Sequence, residues 1–243
     1  MADAVLNLIY PELCFICSAP TVRQQDCGVC RRCWEKCLRL NILPPWCPSC
    51  GLPFQGFEQG ITHLCSRCIL DPPPYSGARS FGYYAAELSR TIQELKFRGR
   101  KNLVGLLAPL LAGTFVETWK REEFDFLVPI PLHPKRRRMR GFNQAALLSR
   151  KLSQLIAVPC CDGALRRVRD TAPQVGLSDS ERLRNVRSAF QCRDQSIVTG
   201  KRLLLIDDVM TTGATLASAA AALVSAGAAR VSALTLARAV TNF

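Results

Sequence analysis

Residues 203–216 read LLLIDDVMTTGATL, and this stretch decides the fold class of the chain. Four apolar residues, 203–206, predict a short buried strand, because parallel strands that are covered on both faces are apolar without alternation. Asp207 and Asp208 follow at the carboxyl end of that strand, where open α/β sheets bind their ligands. The residues after them open an alanine-rich helix that is predicted to end near Gly227.

The start of this helix has the chemistry of a phosphate site. A helix amino terminus presents unpaired N–H groups and a partial positive charge, Gly213 allows close approach of the backbone, and threonine hydroxyls add donors. The two carboxylates before it can accept hydrogen bonds from a sugar diol. The predicted ligand is therefore a sugar that carries a phosphate, since the P-loop and Rossmann patterns are absent. An ordinary strand and capped helix is the alternative, but adjacent carboxylates without partners make it costly.

The amino-terminal part of the chain is rich in cysteine, with ten of the 13 cysteines between residues 14 and 68. The first ten residues lack the basic flank of a signal peptide, so paired cysteines favour metal ligands over disulfides. Cys-x-x-Cys spacing lets two thiolates face one ion, and two such pairs make a tetrahedral Zn²⁺ site. We predict two structural zinc sites, formed by Cys14, Cys17, Cys30 and Cys33 and by Cys47, Cys50, Cys65 and Cys68.

Alternatives to this assignment remain open at the sequence level. Cys27 and Cys37 fall outside both sets, and Cys27 with Cys30 is an acceptable substitute pair for the first site. A redox or iron–sulfur module is a second interpretation of the cysteines. His63 lies two residues before Cys65 and is a further candidate ligand, although four cysteines are available without it.

The basic charge of the chain lies in its second part. The net charge is +13, and residues 71–243 carry 26 Lys and Arg against 14 Asp and Glu. An anionic partner is therefore expected. Cations beside an aromatic ring at Phe97 suit base stacking and phosphate contact, although cations at a solvated helix end are equally compatible. The predicted nucleic-acid residues are Lys96, Arg98, Arg100, Lys101, Arg138 and Arg140.

Alternating strands and helices after the cysteine module predict a parallel α/β sheet with helices on both faces. Strands are predicted at 78–84, 126–130, 165–169, 188–192 and 231–237, and helices at 88–96, 103–120 and 143–156. A loop after the 126–130 strand carries five cations and is expected at the same sheet edge as Asp207. Residues 170–185 are polar and broken by Gly and Pro, which predicts a mobile loop. No apolar run reaches the ~18 residues of a membrane span, so the expected location is cytoplasmic.

Residues 203–216 resemble the PRPP (5-phosphoribosyl diphosphate) motif of type I phosphoribosyltransferases. A zinc module, LKFRGR at 95–100, VPIPLHPKRRRMRGFNQ at 128–144 and the polar 169–190 segment precede it, and together they resemble the ComF/GntX family over nearly the whole chain. The resemblance implies a double zinc-ribbon module at 1–70, a Pro-rich linker at 71–77, and a type I phosphoribosyltransferase-like domain at 78–243.

The family resemblance also implies roles for individual residues. Asp207 and Asp208 take the catalytic positions and hold the ribose hydroxyls, the threonine-rich turn holds the 5′-phosphate, and the basic loop receives the diphosphate with Mg²⁺. The implied PRPP-binding residues are Asp207, Asp208, Val209, Met210, Thr211, Thr212, Gly213, Ala214, Thr215, Lys135, Arg136 and Arg137.

Members of the ComF type are associated with DNA uptake in natural transformation, where they act on single-stranded DNA beside a helicase-like partner. The resemblance therefore implies a PRPP-binding protein that handles single-stranded DNA and docks such a partner through its zinc module. Two alternatives stay open. One is an active phosphoribosyltransferase with an unidentified base or amine acceptor, and the other is a regulator that senses PRPP.

Overall fold

A computed structural model describes residues 12–21, 27–54, 63–169 and 189–240. The predicted mobile loop at 170–185 lies outside the described residues. The strands are β1 (Ala78–Tyr83), β2 (Phe126–Pro129), β3 (Leu165–Arg167), β4 (Phe190–Cys192), β5 (Arg202–Met210) and β6 (Arg230–Arg238). The helices are α1 (Arg31–Leu38), α2 (Ser66–Leu70), α3 (Ala86–Arg98), α4 (Val104–Thr118), α5 (Pro134–Arg140), α6 (Gln144–Ile156), α7 (Gln195–Val198) and α8 (Ala214–Ser225).

Four parallel strands in the order β1-β6-β5-β2 form the central sheet. Along β5, Leu203 and Leu205 belong to the core that α8 covers, whereas Leu204 and Ile206 belong to the core formed with α3, α4 and α6. All four side chains are fully buried, because each face of the strand is covered by helices. The predicted parallel sheet with helices on both faces is confirmed.

Strand β5 is longer than the sequence predicts. It continues through Met210, because β6 pairs with it beyond the apolar run, at Asp207 with Thr235 and at Met210 with Arg238. Asp207 and Asp208 therefore lie within the strand and not after it. Tertiary pairing extends β5 past the point where hydrophobic periodicity ends.

Two other elements also differ from the predictions. The strands near residues 165 and 190 are present, but β3 and β4 form a separate antiparallel pair with Leu165 opposite Cys192. The basic stretch, for which the sequence predicts a loop, is helix α5, which has Pro134 in its first turn and is followed by Gly141 in the left-handed region. A proline at the helix start and a left-handed glycine after its end are the usual boundary residues of a short helix.

The cysteine module packs directly on strand β1. The Ala78 amide donates to the Ser49 carbonyl over 2.8 Å, and the Tyr83 amide donates to the Leu40 carbonyl over 2.9 Å. A side chain at Gly51, where φ is 69°, would place its Cβ 2.4 Å from the Ala78 carbonyl oxygen. The contact thus depends on a glycine. Among the helices that the structure describes, none has the length and apolar character that crossing a bilayer requires.

Candidate functional site

The structure brings both predicted sets of four cysteines together. Within each set the sulfur atoms all lie within 4.8 Å of one another, and the Cys17–Cys30 and Cys50–Cys65 sulfur pairs are each 3.7 Å apart. Tetrahedral Zn²⁺ with bonds of about 2.3 Å separates its sulfur ligands by about 3.8 Å. The residues therefore fit zinc, and these are two zinc-ribbon sites, named here the first and the second cluster in chain order.

The other candidate ligands of the module have different contacts. The His63 ring stacks on the Phe54 ring with centroids 4.1 Å apart. The buried Cys37 thiol lies 3.7 Å from the Thr91 hydroxyl of α3, and the Cys27 thiol donates to the Asn102 carbonyl over 3.5 Å. Both remaining cysteines thus contact α3 or the turn after it.

Asp208 forms an ion pair with Lys96 beneath the carboxyl edge of the sheet. The Lys96 Nζ lies 3.1 Å from Oδ1 and 3.0 Å from Oδ2 of Asp208, which is only 3% exposed. Burial lowers the pKa of Lys96, but the charges of Asp208 and Asp207 outweigh that effect and leave it raised. The last turn of α3 therefore delivers a lysine into the carboxylate pair, a contact that the sequence pattern did not predict.

Asp207 has a different environment from its neighbour. Its Oδ1 accepts a hydrogen bond from the Asp208 amide over 2.9 Å. Burial, and next the adjacent Asp208 charge, raise the pKa of Asp207. The two neighbouring carboxylates thus differ: Asp208 is paired with a lysine, while Asp207 takes up a proton more readily than an ordinary aspartate,.

The threonine–glycine turn connects β5 to α8. Gly213 has φ of 80° and α8 begins at the next residue, with the Ala214 amide donating to the Thr212 hydroxyl over 3.3 Å. A Cβ at Gly213 would lie 2.7 Å from the Met210 methyl carbon and 3.2 Å from the Tyr75 hydroxyl oxygen. Both the left-handed backbone and the close packing therefore require glycine here.

The two predicted basic clusters lie next to each other. The Arg140 guanidinium sits 5.6 Å from the centroid of the Phe97 ring, and the Lys101 ammonium sits 5.2 Å from that of the Phe142 ring. Burial lowers the pKa of Arg140, which donates to the Gln144 side chain over 2.6 Å. These contacts join the end of α3 to α5 and the start of α6. The cations of these clusters differ in exposure. The exposed ones are Lys135, Arg137 and Arg138 of α5 and Arg98, Arg100 and Lys101. The partly buried ones are Lys96, Arg136 and Arg140.

Arg238 is a residue of this region that the sequence reasoning missed. It is 5% exposed, its Nη1 donates to the Cys50 carbonyl and lies 3.2 Å from the Met210 sulfur, and its Nη2 lies 3.8 Å from the Cys50 sulfur. It thereby connects the second cluster to the strand end that carries the threonine–glycine turn. A single arginine at the end of an apolar strand has no local signal, and only the pairing of β6 with β5 brings it there.

A small cavity of about 70 Å³ lies between the second cluster and the turn. Residues 72–75 form one wall, and Gly213, Ala217 and Arg238 form another. The Pro-rich segment is therefore packed against both parts of the molecule.

A parallel sheet with an Asp-Asp strand, a Thr-Thr-Gly turn and two four-cysteine clusters defines a phosphoribosyltransferase-fold protein with a double zinc ribbon. Family comparison agrees: a double zinc ribbon domain matches residues 5–69, and a phosphoribosyl transferase domain matches residues 120–241. The chain belongs to the ComF/GntX family, as its curated relatives show.

Three relatives illustrate the extent of the similarity. DNA utilization protein YhgH of Escherichia coli (strain K12) is 35% identical, with 92% of this chain and 96% of that protein covered. Competence protein ComFC of Bacillus subtilis (strain 168) is 33% identical, with 88% and 85% covered. Competence protein F of Haemophilus influenzae is 31% identical, with 78% and 81% covered.

Proposed function

We propose that this protein binds PRPP with Mg²⁺ at the carboxyl edge of β5 and handles single-stranded DNA in DNA uptake. The observation that carries the PRPP assignment is the placement of two carboxylates and a helix amino terminus within one continuous stretch, Asp207 to Ala214. The names of the relatives, which refer to DNA utilization and competence, support the DNA role. Docking of a helicase-like partner through the zinc module and a cytoplasmic location stay predictions.

In this proposal different residues bind different parts of PRPP. Asp207 and Asp208 accept hydrogen bonds from the ribose hydroxyls, and residues 211–215 donate backbone and hydroxyl hydrogen bonds to the 5′-phosphate. Lys135, Arg136 and Arg137 of α5 face the diphosphate. Mg²⁺, when bound, neutralises diphosphate charge. Lys96, which is paired with Asp208, orients that carboxylate.

The test of the PRPP site is a calorimetric titration of PRPP–Mg²⁺ into the zinc-loaded protein. We expect D208N to weaken binding by about 10-fold to 100-fold, because a hydrogen bond to a charged group contributes about 1.5–3 kcal/mol. E117Q, an exposed carboxylate change in α4, is the matched control and should bind as the wild type does. Equal affinity for D208N and E117Q would remove the assignment.

An active phosphoribosyltransferase is a second candidate function, and the raised pKa of Asp207 favours it. A carboxylate that titrates nearer neutrality suits general base catalysis toward an amine or base acceptor. In that reaction the bond from ribose C1 to the diphosphate oxygen breaks, diphosphate leaves, and the acceptor nitrogen bonds to C1 and gives its proton to the base. Diphosphate release over a panel of bases and amines tests it. Release that needs both PRPP and an acceptor, and that D207N abolishes, supports the enzyme, while silence across the panel excludes it for that panel.

A further inference from the structure

A second concave site adjoins α5, and its lining residues are different from those of the threonine–glycine turn. It is a cavity of about 490 Å³ between the α5–α6 junction and the β3–β4 pair. Five arginines from four segments line it, and we name it the arginine cavity. They are Arg137 of α5, Arg150 of α6, Arg166 and Arg167 of β3, and Arg193 after β4.

Among the described residues that line the arginine cavity, arginines outnumber acidic side chains five to one. Asp162 is the one acidic side chain among the described residues that line it, and it forms an ion pair with Arg150. Arg166 donates to the neutral Gln191 side chain over 2.8 Å, and Arg167 lies 5.4 Å from the Phe190 ring centroid. Converging guanidinium groups repel one another unless an anion compensates them, and their planar donors match phosphate oxygens.

The cavity continues into the cation–aromatic contacts beside the phosphoribosyl site. Phe142 forms part of its wall and carries Lys101 on its ring. The neighbouring Arg140 covers Phe97, whose side chain is 70% exposed. Alternating cations and aromatic rings are the surface that single-stranded nucleic acids bind, with phosphates on the cations and bases on the rings.

We propose that the arginine cavity binds the phosphodiester backbone of single-stranded nucleic acid, beside the proposed PRPP site, with which it shares Arg137. This inference rests on the proposed DNA-handling function and says where on the molecule that function resides. A single small phosphate would need only two or three of these donors. Five arginines spread over α5, α6, β3 and the segment after β4 suit several successive phosphates.

The experiment measures fluorescence anisotropy of a labelled single-stranded oligonucleotide with the zinc-loaded full chain over a range of salt concentrations. The variant is R166E/R193E, since both side chains are exposed and neither belongs to the proposed PRPP site. The matched control is K120E/K201E, which changes charge equally at exposed positions near the amino ends of β2 and β5, on the opposite edge of the sheet.

We expect R166E/R193E to weaken binding at least 10-fold at low salt and to reduce the slope of log K against log salt by about 1.4, because each phosphate contact on a single strand contributes about 0.7. The control should keep the wild-type slope. The zinc content and PRPP affinity of R166E/R193E should match those of the wild type. Such a match shows that the fold and the phosphoribosyl turn are intact. R166Q/R193Q is a milder second pair, should the charge reversal fail to fold.

The possible outcomes separate this inference from the function on which it rests. A wild-type protein that binds no single strand overturns both. Wild-type binding that R166E/R193E and K120E/K201E reduce equally overturns the arginine cavity and leaves the DNA function standing. Displacement of the oligonucleotide by low-millimolar inorganic phosphate, with no dependence on strand length, assigns the cavity to a small phosphorylated ligand and overturns the proposal.

Discussion

The two zinc clusters each use four thiolates, but in different surroundings. In the second cluster all four cysteines are buried, and Arg238 connects it to the end of β5. In the first cluster Cys17 is exposed. The loop that carries it contacts α3, where Arg90 donates to the Ile16 carbonyl over 3.1 Å. The second cluster thus contacts the phosphoribosyl turn through one residue, whereas the first supports the helix that delivers Lys96 to Asp208.

This difference teaches that identical ligand chemistry does not imply an identical role. Metal binding organises both loops, but what each loop supports is decided by the surface against which it packs. The second cluster belongs to the core on the α8 side of the sheet, and the first belongs to the core on the opposite side. Loss of one site should therefore have different consequences from loss of the other.

The largest expected effect comes from removing the second cluster. Structural zinc contributes about 10–16 kcal/mol of apparent binding free energy in isolated zinc-finger peptides, which is comparable with the whole stability of a domain, about 5–15 kcal/mol. We expect C47S/C50S to lose cooperative folding, and C14S/C17S to keep a cooperative transition at a lower Tm. Thermal melting followed by circular dichroism and zinc counting by mass measure this. C192A should bind two zinc ions, and equal losses in both double variants would erase the comparison.

The next effect concerns the arginine that connects the second cluster to β5. R238M removes a buried charge and leaves the Cys50 carbonyl without its donor, which should lower the free energy of unfolding by about 3 kcal/mol. Arg79 is a matched control, since its Nη1 donates to the Pro48 carbonyl of the same zinc ribbon over 3.0 Å. Because the described contacts of Arg79 go to the Pro48 and Ala78 carbonyls and the Trp46 ring, away from β5, R79M should cost about 1 kcal/mol and leave PRPP affinity unchanged.

Chelator competition and PRPP titration distinguish these two arginines. R238M should release zinc from the second cluster faster than the wild type and bind PRPP less tightly, because the substitution disturbs the contacts with both Cys50 and Met210. If R238M and R79M behave alike in both measurements, Arg238 is only a structural contact of the ribbon.

A smaller effect is expected in the pH dependence of stability, which tests whether Lys96 of α3 controls the pKa of Asp207. The folded pKa of Asp207 is raised, so its contribution to stability is fully present below the unfolded pKa of about 3.9 and is lost as pH rises through the folded value,. The charge of Lys96 opposes the increase in the pKa of Asp207. K96M should therefore lose more stability than the wild type as pH increases toward 8.

Urea unfolding at a series of pH values measures the difference between K96M and the wild type. D207N removes the titrating group and should flatten the profile. K101M, at an exposed lysine of the same region, should follow the wild-type profile. Parallel wild-type and K96M profiles would show that Lys96 does not control Asp207.

The smallest expected effect on stability concerns Asp125, which lies away from both zinc clusters. Hydrogen bonds from the Arg202 side chain and backbone lower the pKa of Asp125 to about 2. Its stabilisation is present above the unfolded pKa of about 3.9 and is lost as pH falls through the folded value. D125N should cost about 1 kcal/mol at pH 7, and the difference should disappear as pH falls below 2. A constant difference at all pH values would contradict this assignment.

Much of the central fold could be predicted because its signals are local. An unbroken apolar run predicted β5 as a buried strand, and helical spacing predicted a helix at 88–96, within the observed Ala86–Arg98. The length of β5 could not be predicted, since pairing with β6 holds residues 207–210 extended. Nor could the antiparallel pairing of β3 with β4, because strand partners are set by the sheet and not by the strand.

What the sequence by itself determined is the chemistry. Pairs of cysteines two residues apart specify thiolate metal sites, and Asp-Asp followed by Thr-Thr-Gly specifies carboxylates before a helix amino terminus, all within distances that a single turn spans. What only the tertiary structure decided is which residues meet those groups. Lys96 reaches Asp208 across 112 positions, and Arg238 reaches Cys50 across 188. Such contacts have no periodic signal, because packing of helices on the sheet and pairing of its strands bring distant residues together.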